Sequence, residues 1–346
     1  MINKLKVASF FCGCGGSDLG MLGNFRFLNN DYPSLPFEIN FALDFDKYAV
    51  ETYNSNFNHH AICDDIKNVD IEKIEDFDVL LGGFPCQSFS TVNPTKDTND
   101  DRANLYKELV KVLKRRQPKF FIAENVKGLM TLQRGEILQK VIDEFKSVGY
   151  KVKYKLLLAS NFGIPQRRER LFIVGIRNDI DITYEFPSET HSEAGDIWKP
   201  KWVPLSKVVK NLEIEEKKYY FSQKAVEGMK NAKKNMKRGL YQDLTKQCLT
   251  ITSHLAKTSL NSRDPVLLVN PKKEIYRRFT PSEAASIQSF PEKFTFPVSE
   301  TQAYRQIGNA IPPVMMWHVA NSLAKHLVEI KVEEKPEKEL LLSDGY

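Results

Sequence analysis

The 346-residue chain carries 50 Lys and Arg against 44 Asp and Glu, a net charge of +6, with 42% hydrophobic and 27% charged residues. That composition suits a globular protein of about two domains and excludes a disordered or low-complexity chain. The longest apolar runs, such as residues 79–84, are far too short to span a bilayer, so no membrane is expected.

The five cysteines, Cys12, Cys14, Cys63, Cys86 and Cys248, are too few and scattered for a disulfide framework, and a reducing cytoplasm fits them. No second Cys or His pair stands at zinc spacing, so no metal is expected. The charge is uneven. Residues 187–275 hold 17 Lys and Arg against 10 Asp and Glu, whereas the remainder holds 33 against 34. One segment therefore carries the excess, as expected of a surface that meets a polyanion.

Residues 5–11 (LKVASFF) read as a first strand rather than a secretory signal, because the apolar stretch is short and breaks into a cluster of Gly13, Gly15, Gly16 and Gly20. Residues 37–45 read as a second strand, and 47–57 as a helix through Ala49, Tyr53 and Phe57. Residues 77–84 form a nearly all-apolar strand, the pattern of a strand covered on both faces. Residues 104–117 predict an amphipathic helix with Leu105, Leu109, Val112 and Leu113 inward. A buried strand (119–126), a helix ending at Gly149 (136–149) and two more strands (150–159 and 170–177) follow. This alternation predicts an α/β fold around a mostly parallel sheet.

Near Pro187 the alternation stops. Residues 223–238 read as a helix with Ala225, Met229, Ala232 and Met236 as its apolar stripe and Lys230, Lys233, Lys234 and Lys237 as a basic face. Taken alone, such a face is more often merely solvated. Residues 282–290 and 313–330 are helical, and 331–346 form a charged tail. No internal repeat is present.

Glycines directly after a first strand let a ligand approach the backbone. Gly13 and Gly15 fit a dinucleotide fingerprint, but Asp18 stands at its third glycine position, which argues against a nicotinamide-dependent oxidoreductase. Asp44 ends the second strand, where an acid can hold ribose hydroxyls, and Asp65-Ile66 offers an adenine-edge pair. Many α/β folds share these features. Cys86 lies in the loop GGFPCQSFS just past a buried strand, where parallel sheets place reactive groups. An isolated cysteine is usually a small core residue, so its company decides its meaning.

That company resembles the DNA (cytosine-5) methyltransferase family, the bacterial and phage enzymes of restriction–modification systems. Pro85-Cys86-Gln87 matches the family's Pro-Cys loop, and Glu124-Asn125-Val126 its Glu-Asn-Val motif. Gln166-Arg167-Arg168-Glu169-Arg170 matches Gln-x-Arg-x-Arg, residues 277–291 the motif that closes the recognition region, and Gln306-Ile307-Gly308-Asn309-Ala310 the Gln-x-Gly-Asn motif. Five separated matches in the right order cover most of the chain.

The resemblance implies a Rossmann-like S-adenosylmethionine-dependent methyltransferase fold. Residues 1–186 and 276–330 would form the catalytic domain and 187–275 a smaller target-recognition domain, with DNA in the cleft between them. Cys86 would attack carbon 6 of a flipped-out cytosine. Glu124 would hold ring nitrogen 3 and the exocyclic amine in a protonated state. Arg168 and Arg170 would contact the base oxygen and steady Glu124 and Cys86. Phe11, Gly13, Cys14, Gly16, Asp44, Phe45, Asp65, Ile66, Gly83, Pro85, Leu105, Asn309 and Ala310 would line S-adenosylmethionine, with S-adenosylhomocysteine as product and no metal.

The expected partner is double-stranded DNA, bound by a cytoplasmic monomer, with any cognate restriction endonuclease acting separately. The rival on the same scaffold is an RNA cytosine-5 methyltransferase; the large basic recognition region favours duplex DNA. The intact set Cys86, Glu124, Arg168 and Arg170 argues against a DNA-binding module without catalysis. An amino-group methyltransferase would need an Asp/Asn-Pro-Pro-aromatic loop where FPCQSF stands. Two positions depart from the family. Ser9 stands where an acid is usual, which puts the grip on the cofactor's amino group in doubt. Ser282 stands where an arginine is frequent, which puts a structural ion pair in doubt. Thr250-Ile251-Thr252 resembles the Thr-containing turn of recognition regions.

Overall fold

The computed structural model describes residues 4–84, 105–232, 241–257 and 265–333; at 229, 232 and 328–333 only the backbone is described. Pro85, Cys86, residues 233–238 of the predicted 223–238 helix and most of the charged tail lie outside the described residues.

The first half of the chain contains β1 (Leu5–Phe10), α1 (Gly16–Leu22), the hairpin β2 (Phe25–Phe27) and β3 (Asn30–Tyr32), then β4 (Phe37–Asp44), α2 (Lys47–Asn56) and β5 (Ile62–Cys63). It continues through β6 (Val79–Gly83), α3 (Leu105–Arg116), β7 (Phe120–Val126), α4 (Glu136–Ser147), β8 (Tyr150–Leu158), β9 (Gln166–Arg167) and β10 (Glu169–Arg177). Beyond these come α5 (Gln223–Ala232), β11 (Cys248–Leu249), β12 (Leu267–Asn270), β13 (Ile275–Arg277), α6 (Pro281–Ile287), α7 (Glu300–Asn309) and α8 (Pro313–Glu333).

Seven strands form one sheet in the order β5-β4-β1-β6-β7-β10-β8. The first five are parallel, and β10 runs antiparallel to both its neighbours. The α/β fold with a mostly parallel sheet expected from the sequence is thus observed. The alternation of side chains along a strand divides the core in two. Val7, Val79, Leu81, Phe120, Ile122 and Phe172 point to one face, where α8 packs through Met315, Met316, Val319 and Leu323. Ala8, Leu80, Phe121, Leu171 and Ile173 point to the other, against Leu109, Val112 and Leu113 of α3 and Leu138, Val141, Ile142 and Phe145 of α4. Continuous apolar runs such as 79–82 are what a strand buried on both faces requires. In α3 the inward set is Tyr106, Leu109, Val112 and Leu113; Leu105 is only partly buried.

Two helices escaped the sequence reading. α1 has low intrinsic helix propensity because of its glycines. Those glycines permit its docking: a Cβ on Gly16 would lie 2.5 Å from the Ile311 carbonyl, and one on Gly20 2.5 Å from the Pro313 carbonyl. α7 hides its apolar stripe, Ala303, Tyr304 and Ile307, among polar residues.

Residues 187–275 contain little regular structure, as expected. Leu205, Val209, Cys248, Ile251, Leu255 and Leu267 share one apolar cluster with Phe279, Ala284, Ile287 and Phe290 around α6 and with Tyr304 and Ile307 of α7. Among the described side chains of α5, Val226 is buried and the predicted Ala225 only partly so, because the helix docks against Tyr276 of β13 and Leu268 of β12. Lys230, assigned to a basic face, pairs with Glu274 at 2.5 Å. Next to Ser282 an ion pair is present between other residues of the same motif. The fully buried Arg277 guanidinium meets both carboxylate oxygens of Glu283 at 2.7 Å. Glu283 also completes a capping box with Thr280 at the start of α6.

Candidate active site

Parallel strands bring their C-terminal ends to one edge, and ligands bind where the strand order reverses direction. Here the chain passes from β1 outward to β4 and later returns to β6 on the other side of β1, so the reversal falls between β1 and β6. Around it stand the glycine loop after β1, Asp44 at the end of β4 and Phe45 just after it, Asp65 and Ile66 after β5, Gly83 at the end of β6 and Glu124 near the end of β7. Because β10 is antiparallel to β7, its first residues, Glu169 and Arg170, arrive at the same edge.

The loop after β1 is made by backbone strain. Phe11 leaves the strand with φ 57°, a left-handed conformation that costs a non-glycine residue about 1–3 kcal/mol. Asp44 holds the loop in place: its Oδ2 accepts the Gly13 N–H at 2.8 Å and its Oδ1 the Asp46 N–H at 2.9 Å. Each carboxylate oxygen keeps a further lone pair. Burial pushes Asp44 up from its ordinary value, opposed by the N–H groups of Asp46 and Gly13. Gly13 faces open space, since a Cβ there would meet nothing within 4 Å. Beside it the Phe45 ring is 67% exposed, unusual for a phenylalanine at a strand end. Ile66 is buried, while Asp65 is exposed and caps the short turn that follows it. Asn309, the last residue of α7, is exposed and Ala310 half-buried.

Cys12 and Cys14 are buried small residues of the loop, and burial pushes both thiols up, that of Cys14 to about 12. Beneath the loop lies a cluster that sequence reasoning missed. The fully buried Asp18 carboxylate accepts hydrogen bonds from Ser9 Oγ (3.0 Å), Ser17 Oγ (2.9 Å) and Tyr53 Oη (3.0 Å). Desolvation pushes Asp18 up to about 6 despite these donors. The hydroxyl of Ser9, where the family usually has an acid, thus meets the carboxylate of Asp18 from α1.

At the other side of the reversal, Gly83 pairs with Glu124 across β6 and β7. A Cβ on Gly83 would lie 3.5 Å from Glu124 Oε2, an ordinary contact distance, so the Glu124 carboxylate lies directly against this strand end. Arg170 and Glu124 are diagonal neighbours on one face of the β7–β10 ladder. Arg170 Nε stands 2.7 Å from Glu124 Oε1, and the two side chains are 11% and 12% exposed. That contact is an ion pair off the hydrogen-bond direction, and Oε1 has no hydrogen-bond partner among the described residues. Burial pushes Glu124 up, with Arg170 and then Arg168 opposing. Asn125 Nδ2 donates to the Phe84 carbonyl at 3.0 Å, fixing the last described residue before Cys86.

Arg168 is placed differently from expectation. Its guanidinium is fully buried and donates to the carbonyls of Ile251, Gly308 and Ala310 at 2.8–2.9 Å. It reaches Glu124 only as a nearby charge. Gln166, at the head of the same motif, is also fully buried and bonds to Ile251 N–H and Gln288.

A strained glycine loop, a strand-end acid and a buried Glu–Arg pair on one edge are set beside the known proteins that this chain resembles. The sequence pattern of C-5 cytosine-specific DNA methylases matches residues 5–325. The chain belongs to that family. The methylase is 34% identical over 314 residues to the Type II methyltransferase M.NlaX of Neisseria lactamica, covering 88% of this chain and 92% of that protein. It is 33% identical to M.BspRI of Lysinibacillus sphaericus (96% and 85% covered) and 32% identical to M.FnuDI of Fusobacterium nucleatum (97% and 98%). In fold, the methylase matches the Dnmt2 methyltransferase of S. pombe with a TM-score of 0.71 at 22% identity, covering 94% and 99% of the two chains. No helix of the described residues is long and apolar enough to cross a membrane.

Proposed function

We propose that the protein methylates carbon 5 of a flipped-out cytosine within a specific short sequence of duplex DNA, through a covalent adduct with Cys86. The observation that carries this reading is the buried Glu124 carboxylate, held at the crevice by Arg170 and beside the strand from which the Cys86 loop departs. Cys86 follows Gly83 by three residues in the sequence.

The residues at the crevice fit S-adenosylmethionine. The open space before Gly13 and the free lone pairs of Asp44 suit a ribose, and the exposed Phe45 ring beside Asp65-Ile66 suits an adenine. When bound, S-adenosylmethionine supplies an electrophilic methyl group.

The chain's own residues make carbon 5 able to take it. The Cys86 thiolate forms a bond to carbon 6, and the electron pair of the carbon 5–carbon 6 double bond shifts into the ring. Glu124 in its protonated form gives a hydrogen bond or its proton to ring nitrogen 3, offsetting the charge that develops. Burial favours that form, and Arg170 keeps the carboxyl oriented. After methylation a solvent base takes the proton on carbon 5, its bonding pair reforms the carbon 5–carbon 6 double bond and the carbon 6–sulfur bond breaks, returning the thiolate. Residues 187–275, with their excess of lysine and arginine, would read the sequence. The target base must leave the duplex stack to reach this pocket.

The test is covalent trapping. The target sequence is first mapped by bisulfite sequencing of DNA from a host expressing the protein. Duplex DNA with 5-fluorocytosine at the target should then stay bonded to the protein only when S-adenosylmethionine is present, because fluorine cannot leave as a cation. Digestion should place the adduct on the peptide containing Cys86. Methylation of ordinary cytosine with no adduct on the fluorinated duplex would overturn the mechanism.

A further inference from the structure

The motif Gln166-Arg167-Arg168-Glu169-Arg170 carries two arginines with separate duties. Arg170 faces Glu124. Arg168 turns into the interior, where it forms no salt bridge among the described residues and is held by three carbonyls. Two of them, Gly308 and Ala310, close the C-terminal end of α7, where a helix gathers partial negative charge. The third, Ile251, belongs to the Thr250–Thr252 turn. The two terminal nitrogens of this buried cation therefore find their acceptors only when both turns are in place, because either one leaving would strand its donors; Nε has no hydrogen-bond partner among the described residues.

A second path joins the same two turns. Gln166 Oε1 accepts the Ile251 N–H at 2.9 Å, and Gln166 Nε2 donates to Gln288 Oε1 at 2.9 Å. Gln288 Nε2 in turn donates to the Ile307 carbonyl at 2.7 Å. The turns also touch directly. A Cβ on Gly308 would lie 2.2 Å from Ser253 N and the Thr252 carbonyl carbon, so only glycine allows the approach.

We propose that Arg168 is a positioning residue that couples the cofactor-side turn, Gly308–Ala310, to the recognition turn, Thr250–Ser253. Fixing the first turn by a bound cofactor fixes the carbonyls that orient the guanidinium, and the guanidinium fixes Ile251. By linkage the effect is reciprocal: DNA on the recognition turn tightens the cofactor site by the same factor. The inference rests on the proposed function for what each turn faces.

Hydrogen exchange on the full chain, with and without S-adenosylhomocysteine, reads this coupling without turnover, and calorimetry confirms that the ligand is bound. The Ile251 amide should exchange about five- to 150-fold more slowly with the ligand bound, the span of ordinary allosteric couplings. In Arg168→Lys, which keeps the charge but loses the fork that spans three carbonyls, the ligand should still bind while this slowing disappears. Arg170→Lys should retain it. A merely structural Arg168 would alter exchange equally with and without ligand. Bound ligand with no change at Ile251 in the unaltered chain overturns the coupling alone, even if Arg168→Lys does not fold. No binding of S-adenosylhomocysteine overturns the cofactor reading and the coupling with it.

Discussion

The Glu124 carboxylate and the Arg170 guanidinium meet at 2.7 Å on adjacent antiparallel strands, one near the end of β7 and the other at the start of β10. The pair exists because the sheet changes direction at β10. Were β10 parallel like its predecessors, Arg170 would begin its strand at the opposite edge. The single antiparallel insertion thus supplies the crevice with a cation that a wholly parallel sheet could not place there.

Glu124→Gln should lower methyl transfer about 10²–10³-fold, the usual cost of removing one preorganised stabilising group. Gln cannot give a proton to ring nitrogen 3, and Arg170 loses its counter-charge. Incorporation of labelled methyl groups into target DNA measures the effect. Undiminished incorporation would remove Glu124 from the chemistry.

Asp44→Ala should weaken S-adenosylhomocysteine binding by about 1.5–3 kcal/mol, the range of hydrogen bonds to a charged group. The carboxylate orders the Gly13 loop and, in the proposed site, holds ribose hydroxyls. Calorimetry should show this loss in affinity, and an unchanged isotherm would exclude Asp44 from the site.

Asp18→Asn should change how stability depends on pH. Asp18 is pushed up to about 6 from an ordinary 3.8. The stability it contributes is therefore complete below about pH 4 and is lost as pH rises through about 6. The shift corresponds to about 3 kcal/mol. Urea titrations should show the variant gaining on the unaltered protein by that order between pH 4 and pH 7. A difference that stays constant across this window would contradict the burial argument.

Gly308→Ala should destabilise the fold by about 1–3 kcal/mol, the range for overpacking a filled interior. The added methyl would collide with backbone at Thr252–Ser253, which cannot move aside as a flexible side chain can. Denaturant unfolding measures the loss, and a neutral result would mean that the two turns are not closely packed in solution.

The sheet was legible because its strands are buried on both faces. Runs such as 79–84 and 119–126 admit few other readings. The crevice was legible too, since the glycine loop follows a strand directly and Asp44 and Glu124 stand at or near strand ends. What stayed hidden depends on distant contacts. α1 reads as a glycine-rich loop because its helix is stabilised by residues 311–317 and not by its own propensities. The partners of Asp18 come from β1, α1 and α2, and no local pattern brings them together. Arg168 and Arg170 look alike in sequence, and only the three-dimensional path of the chain sends one to carbonyls and the other to a carboxylate. The burial of Gln166 and Gln288 had one available signal: both fall inside motifs quoted for the resemblance, although glutamine is seldom buried without a polar partner.

The docking of α8 on α1 sets an order in time. Trp317 donates to the Pro33 carbonyl across 284 residues of sequence, and Gly16 and Gly20 are shaped for backbone that follows Asn309. A chain emerging from the ribosome therefore presents its glycine loop early but has nothing to lay against it until α8 has been made. Contacts of such long range close slowly. During synthesis the crevice at the glycine loop would therefore be completed among the last features of the fold, once residues 311–317 are present to pack against α1.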